Sequence, residues 1–373
     1  MMNRIPLLVP RMPLADTLVP YLRQIDQNRW YTNFGPLNTE FERRLLQDTA
    51  PTLGPDNIST VANCTVGLEL ALQALDLRPG ARVMLPAITF VATATSIIRC
   101  GFAPVFADID AASWVLTPAI ARTVADRLKV DAVMPVSTFG FAHAPNEWDE
   151  FSRQTGLPVV IDAAGAYGNQ LPGEIADVVY SFHATKSFGA AEGGAVISHD
   201  VQRIKRIRQL ANFGIDTSTG LLVGHGTNGK MSEYHCAIGL ASFDEWADTQ
   251  RTRRDLHARY LTALRTHVDE VELQAKDPDG VYPLMPVALP AGIDVQAVRA
   301  QLSDAGIETR RWYAPGLDSH PALRDYLSGD LKVSTDIGAR ILGLPFFIGL
   351  SDEQIGYICT TLATVIRDKQ AAP

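Results

Sequence analysis

Cysteine is scarce: Cys64, Cys100, Cys236 and Cys359 are the four in 373 residues. They lie far apart, with no Cys-x-x-Cys pair and no His at zinc-ligand spacing, which argues against a disulfide framework and against a zinc site. No metal is expected, and the four read as buried small residues. Nowhere do apolar residues run unbroken for the roughly eighteen positions of a membrane span. The apolar stretch IPLLVPRMPL near the start is interrupted by Pro6, Pro10 and Pro13. Those prolines spoil a signal-peptide core, so the expected location is the cytoplasm and no membrane partner is expected. Basic residues are in deficit, 33 Lys and Arg against 41 Asp and Glu, for a net charge of −8. That balance opposes bulk attraction to nucleic acid but leaves room for a local cationic pocket around a phosphorylated ligand. Internal repeats and low-complexity tracts are also missing.

What is present is the composition of a soluble globular protein, 46% apolar and 20% charged. The length exceeds one ordinary core and predicts a large domain, 1–245, followed by a smaller one, 246–373. Leu18, Tyr21, Leu22 and Ile25 have helical spacing, and the helix gives way to a loop at Gly35 and Pro36. Residues 57–62 read as a strand, and Leu68, Ala71, Leu72 and Leu75 form the buried stripe of the next helix. Residues 82–85 give a second strand, and ITFVATATSIIRCG a helix stopped by Gly101. Further strands are predicted at 103–109, 131–136, 158–162, 176–182 and 195–198, mostly separated by helix-length segments. The fold class is therefore α/β, a largely parallel sheet with helices on both faces. RIKRIRQL reads as an amphipathic helix with a solvated basic face. One helix from about His235 to Leu264 is expected to lead out of the large domain. Beyond it come a strand at 282–289, a helix at 295–304, a strand at 307–312 and a final helix opened by a capping box of Ser351 and Gln354, an α+β lobe.

The stretch DVVYSFHATKSFGAAEGGAVIS, Asp177 to Ser198, places one lysine between an apolar strand end and a glycine-rich turn. Val178, Val179, Tyr180 and Phe182 favour a strand ending near Ser181, which leaves Ser181, His183 and Lys186 beyond the sheet edge. A lysine there can form a Schiff base with an aldehyde cofactor, pyridoxal phosphate being the common one, though a solvated loop lysine has the same local pattern. Asp162 ends the apolar run LPVVID, and in a parallel sheet the two strand ends share the edge where ligands bind. A carboxylate there can keep a pyridine nitrogen protonated; it can equally cap a helix over AAGAYG. Asn63 to Gly67 begins a helix whose N–H groups, at Thr65 and Val66, can hold a phosphate or be capped by Asn63. Phe90 can stack on a flat ring or fill the core.

The ordered blocks TNFGPLNTEFE, NCTVGLELALQAL, LPAITFVATATSI, APVFADID, VVIDAAGAYG, SFHATKSFGAAEGGAV, GHGTNGKMSEYHCAIGL and LGLPFFIGLSDEQI resemble the DegT/DnrJ/EryC1/StrS family of sugar aminotransferases, from about Thr32 to Ile355. The resemblance implies a fold type I enzyme with pyridoxal 5′-phosphate, a large domain with a mostly parallel sheet and a smaller C-terminal α+β domain. It implies Lys186 as the Schiff-base lysine, Asp162 against the ring nitrogen, Thr65, Val66 and Ser181 at the phosphate and Phe90 on the ring. His183, from its place beside the lysine, would orient sugar or cofactor or else only satisfy a local hydrogen bond. Asn228 would reach the cofactor phosphate of the neighbouring subunit, which makes a homodimer with shared active sites the expected assembly. Thr32, Asn33, Gly35, Lys230, Trp312, Tyr313 and His320 match segments that meet the substrate.

Two positions depart from the family's pattern. Gly165 stands where Gln or His commonly contacts the ring hydroxyl, and Asp318 where a His is often found, with His320 two residues on. Retention of Lys186 favours transamination, because relatives that remove a sugar hydroxyl carry His there. The partners implied are an amino-acid donor, glutamate by resemblance, and a nucleotide-linked keto-6-deoxy sugar. The SFHATK form is similar to members that aminate C4 of a dTDP-4-keto-6-deoxyhexose. Amination at C3, a sugar dehydratase or aldolase, and a non-catalytic cofactor-binding regulator are the alternatives.

Overall fold

The computed structural model describes residues 4–370, so the first three and last three positions of the two expected domains lie outside the described residues. The chain opens with helices α1 (Ala15–Asn28) and α2 (Pro36–Thr49), then strand β1 (Ile58–Val61). Strands and helices then alternate: α3 (Cys64–Gln73), β2 (Arg82–Pro86), α4 (Val91–Arg99), β3 (Ala103–Ala107), α5 (Pro118–Arg127), β4 (Ala132–Val133), α6 (Pro145–Thr155) and β5 (Val160–Ala163). β6 (Asp177–Ser181) and β7 (Gly194–Ile197) follow, then α7 (Val201–Ala211), α8 (Glu233–Asp244) and α9 (Trp246–His267). The C-terminal part holds β8 (Met285–Ala288), α10 (Val295–Asp304), β9 (Leu327–Ser328), α11 (Lys332–Arg340), β10 (Ile341–Leu344) and α12 (Asp352–Gln370).

The strands run side by side in the order β1-β7-β6-β5 and β4-β2-β3-β9. Parallel bridges from Val133 to Val159 and from Val136 to Asp162 join the two halves through β4 and β5. All neighbouring pairs from β6 to β9 are parallel, and β7 alone runs against its neighbours β6 and β1. Strands β1 to β7 divide their side chains between two cores, as the two-residue period requires. Ile161, Val178, Tyr180 and Ile197 join the core roofed by α2, α6 and α8. Val160, Val179 and Val196 join the one beneath α3, α4 and α7. A third core gathers Ile5, Leu256, Tyr260, Val287, Leu302 and Ile358 around the antiparallel pair β8 and β10.

Four expectations need correction. Pro135 cannot donate to a ladder, so the strand expected over 131–136 narrows to β4 with an isolated bridge at Val136. The single helix expected from His235 breaks at Glu245, whose φ of −106° and ψ of 1° leave the helical range. The strand expected over 307–312 is two isolated bridges with different partners, Ile307 to Ile5 and Arg310 to Gly343. The helix cap weighed for Asp162 has no helix to cap, since residues 164–169 are turns. The capping box is in place: Ser351 N donates to Gln354 Oε1 at 3.0 Å and Gln354 N to Ser351 Oγ at 3.2 Å.

Candidate active site

Lys186 lies on a compact loop between β6 and β7. Phe182 N donates to Gly193 O at 2.9 Å, Ala190 N to Phe182 O at 2.7 Å and Lys186 N to His183 O at 2.9 Å, so the loop closes on itself. Two phenylalanines pin it from below. Phe182 meets Phe41 edge-on at 5.4 Å, and Phe188 packs on Phe243 at 4.6 Å and Tyr167 at 4.9 Å. With its neighbours fixed in an aromatic core, Lys186 is placed by rigid backbone although it stands on a loop. Gly193 completes the turn at φ 152°, where a Cβ would meet Met231 Cε at 2.7 Å.

β5 and β6 are parallel neighbours with Asp162 opposite Val179, so Asp162 and the lysine loop emerge at one sheet edge. The Asp162 carboxylate is buried, and both oxygens accept: Oδ2 from Thr93 Oγ1 at 2.8 Å, Oδ1 from Ala164 N at 3.1 Å. Burial pushes its pKa up, opposed by those two donors and by the Lys186 charge. Lys186 moves the other way. Desolvation lowers its amine pKa, opposed by Cys64 and Asp162. Burial also raises the Cys64 thiol well above its ordinary value, with Asp162 adding to the effect. Tyr313 belongs to the same group, its pKa raised by burial and then by the Asp162 charge. Its ring stacks on Phe139 at 5.4 Å and lies 6.0 Å from Phe90.

Phe90 is 55% exposed immediately before α4, so it fills no core and presents a free aromatic face. Ser181 is buried at the end of β6. At the start of α3, Asn63 Oδ1 accepts from Val66 N at 3.0 Å, so the side chain weighed as a cap takes that N–H and Thr65 is left as the main backbone candidate. His183 is held locally: its Nδ1 accepts from Thr185 N at 3.3 Å and lies 2.8 Å from Thr185 Oγ1, and Nε2 lies 3.6 Å from Glu192. These groups fit pyridoxal phosphate. A desolvated amine, a buried carboxylate, an exposed aromatic face and a helix N-terminus border one sheet edge.

The other expected residues form a second cluster. Ala62 N donates to Gly229 O at 2.7 Å, which sets Asn228 and Lys230 beside the start of α3 in their own chain. Asn228 is exposed, and Lys230 Nζ donates to Asn212 at 3.0 Å and lies 4.7 Å over the Phe213 ring. Thr32 and Asn33 are exposed, on a loop that Glu233 ties down by accepting from Leu37 N at 2.8 Å and Asn38 N at 2.9 Å. Gly35 is buried there because any Cβ would collide with Trp30 and with Glu233. Trp312 packs over Gly343 and beneath Arg310, against a small cluster of Ile88, Phe139, Ile337 and Ile341 that Tyr313 also borders. Leu317 N donates to Ala87 O at 2.9 Å, so the segment through His320 rests on the end of β2, with His320 half-buried. Among the described residues, Trp312 and His320 make no hydrogen bond or aromatic contact with Lys186. Gly165 faces the Ser137 to Gly140 turn, where a Cβ would meet Gly140 N at 3.5 Å.

Thr93, Cys64 and Phe139 escaped the sequence reading. Thr93 lies within a block that matches the family, yet nothing local marks its hydroxyl. Among the described residues no group of three or more His, Cys, Asp or Glu side chains is placed to hold a metal ion, and no helix is long and apolar enough to cross a membrane.

A profile of the DegT/DnrJ/EryC1/StrS aminotransferase family matches residues 14–363. The chain is 30% identical over 364 residues to the dTDP-4-amino-4,6-dideoxy-D-glucose transaminase of Escherichia coli, with 94% of this chain and 95% of that protein covered. A solved structure from Bacillus cereus ATCC 10987, described as a PLP-dependent aminotransferase, is similar with a TM-score of 0.90 at 32% identity, over 96% of this chain and all of that one. DesI in the presence of its TDP-sugar product is similar with a TM-score of 0.87 at 30% identity, over 99% of this chain and 95% of that one. The chain belongs to the DegT/DnrJ/EryC1/StrS aminotransferase family.

Proposed function

We propose that this chain is a pyridoxal 5′-phosphate-dependent aminotransferase that moves an amino group from an amino acid, L-glutamate, to C4 of a dTDP-4-keto-6-deoxyhexose. One observation carries the reading: a desolvated lysine amine and a buried carboxylate meet at the shared edge of two parallel strands. The chemistry drawn from the cofactor is stabilisation of negative charge beside the exchanged nitrogen. Lys186 holds the cofactor covalently. Once displaced by the donor, its Nζ takes the proton from the donor Cα and returns it one position along, and desolvation, which lowers its pKa, favours that role. Asp162 faces the ring nitrogen, Phe90 covers the ring, and Thr65, Val66 and Ser181 meet the phosphate, Val66 sharing its N–H with Asn63. His183, fixed by Thr185, orients sugar or cofactor. Thr32, Asn33, Gly35, Lys230, Trp312, Tyr313 and His320 border the sugar-nucleotide path.

The assembly is a homodimer in which Asn228 reaches the partner's cofactor phosphate. Exposed Tyr31, Phe213, Leu221, Leu222 and Tyr234 support a covered face around Asn228. The division into 1–245 and 246–373 and a cytoplasmic location belong to the same proposal; the separate core around β8 and β10 supports the division. The test is borohydride reduction with peptide mapping, then turnover of dTDP-4-keto-6-deoxyglucose with glutamate. The expected results are a pyridoxyl group on Lys186 and an amino sugar. A label elsewhere removes Lys186 from the role. Sugar product without nitrogen indicates a dehydratase, amination at C3 moves the specificity, and no turnover with any keto sugar indicates a regulator.

A further inference from the structure

We propose that Thr93, backed by Thr89, is a positioning residue that keeps the Asp162 carboxylate ionised and turned toward the ring nitrogen of the cofactor. The inference rests on the function proposed above for its orientation toward the ring, and on the structure alone for the hydrogen bonds.

Thr89 and Thr93 are both buried, and their hydroxyl oxygens lie 3.1 Å apart. Thr93 Oγ1 lies 2.8 Å from Asp162 Oδ2. A hydroxyl has one proton, and an ionised carboxylate only accepts. With Asp162 ionised, Thr93 therefore donates to it and accepts from Thr89, which gives a directed chain from Thr89 through Thr93 to Asp162. Helical threonines elsewhere in the chain do otherwise. Thr49, Thr123, Thr252 and Thr262 each donate to the backbone carbonyl four residues back. Thr93 stands in the first turn of α4, has no helical carbonyl behind it, and reaches across to β5 instead. The N-terminal end of α4, whose dipole favours an anion, is thereby set against the carboxylate.

The titratable groups that face Asp162 are Lys186 from the loop after β6, Cys64 from α3 and Tyr313 from the segment before β9. Lys186 alone among them brings a positive charge, and its amine is the group that takes part in the reaction. The donors that remain throughout are Ala164 N–H and the Thr93 hydroxyl. The Ala164 donor is backbone, so no substitution short of proline removes it. Thr93 is thus the side chain that tunes the carboxylate independently of the lysine.

The experiment uses full-length apo protein labelled with ¹³C at aspartate carboxyls, the Asp162 signal being assigned by its loss in Asp162→Asn. In Thr93→Val the Asp162 signal should titrate at higher pH than in the wild type, and in Thr93→Ser at the wild-type position. With cofactor and glutamate, the first half-reaction should slow roughly tenfold or more in Thr93→Val, the scale of one hydrogen bond to a charged group, and recover in Thr93→Ser. Should Thr93→Val fail to fold, Thr89→Val removes only the rear donor and should shift the Asp162 titration in the same direction by less. An Asp162 titration unmoved by loss of the Thr93 hydroxyl, or by Thr89→Val where Thr93→Val does not fold, overturns the proposal. A moved titration with an unchanged half-reaction rate upholds the hydrogen-bond chain and instead refutes the placement of Asp162 against the ring.

Discussion

Asp162→Asn should separate what this carboxylate does for the reaction from its effect on the fold. Both carboxylate oxygens accept at present, whereas asparagine has one acceptor and an NH₂. Its Oδ1 can keep the Ala164 N–H, and the amide can donate to Thr93 Oγ1 if Thr93 turns its proton to Thr89. Either hydroxyl of that pair can be the donor, so the contact reverses without being lost. The ionisation effect has a definite sign. Burial raises the pKa of Asp162 above its ordinary 3.8, so the folded state holds the proton more tightly than the unfolded chain. Such a group supports the fold below its unfolded pKa, and that support is lost as pH rises through the folded value. At neutral pH the buried charge therefore works against the apo fold, and asparagine removes it. Apo Asp162→Asn should melt at or above the wild-type temperature at pH 7, an advantage that disappears toward pH 4. The reaction should suffer in contrast: loss of a preorganised electrostatic partner of this kind is worth about 10²- to 10³-fold, or about 2.7–4 kcal/mol. Stopped-flow measurement of the half-reaction with glutamate at saturating cofactor, beside thermal melts from pH 4 to 8, reads both. A wild-type half-reaction rate would mean that Asp162 acts only as a structural acceptor, and a clearly lower melting temperature at pH 7 would refute the cost of its buried charge.

Because desolvation lowers the Lys186 amine pKa, capture of pyridoxal phosphate by apo protein should accelerate with pH through a midpoint below 10.5, and Asp162→Asn, which removes a neighbour that raises it, should move that midpoint lower still. A midpoint at or above the ordinary lysine value refutes the desolvated site. Gly35→Ala should destabilise the protein by about 1–3 kcal/mol in denaturant titration, since the new methyl displaces Glu233 from the two N–H groups at the start of α2; unchanged stability would show that this loop yields freely. Mixing Lys186→Ala with Asn228→Ala under subunit exchange should restore activity if Asn228 serves the partner's site, because one site of the mixed dimer then carries neither lesion. No recovery, with exchange demonstrated, would assign Asn228 to its own chain, where Gly229 already rests beside α3.

The fold was legible where the physical constraint is local. Alternating β-branched and aromatic residues mark β6, and the same alternation divides Val178 and Tyr180 from Val179 between the two cores. The run SFHATKSF carried more than the reading took from it: two phenylalanines flank Lys186, and both anchor its loop in the aromatic core. The reversal of β7 was not legible, because strand direction depends on the loop that feeds it, and a short glycine-rich turn between apolar runs fits an antiparallel return as well as a crossover. Glu245 breaks the helix within Ser242–Thr249, where Ser, Phe, Asp, Trp and Thr are only middling helix formers, a weak local signal that the apolar spacing outweighed. Thr93 was invisible for a related reason. Its role lies in which acceptor its hydroxyl finds, and that acceptor stands on another strand.

The two central groups each oppose their own burial. Desolvation drives Asp162 toward its neutral acid and Lys186 toward its neutral amine, and each charge resists the drift of the other. Lys186 takes part in the reaction, so the protein groups that support the Asp162 charge throughout are ones that do not. The Thr93 hydroxyl and the Ala164 amide meet that condition, as does the start of α4. Tyr313 adds no charge of its own: burial, and then the Asp162 charge, raise the pKa of its phenol. A site built this way needs rigid surroundings more than it needs additional charges. Phe182 and Phe188 beneath the lysine, and the hydrogen-bonded β5 to β6 pair beneath the aspartate, supply that rigidity from apolar residues and backbone.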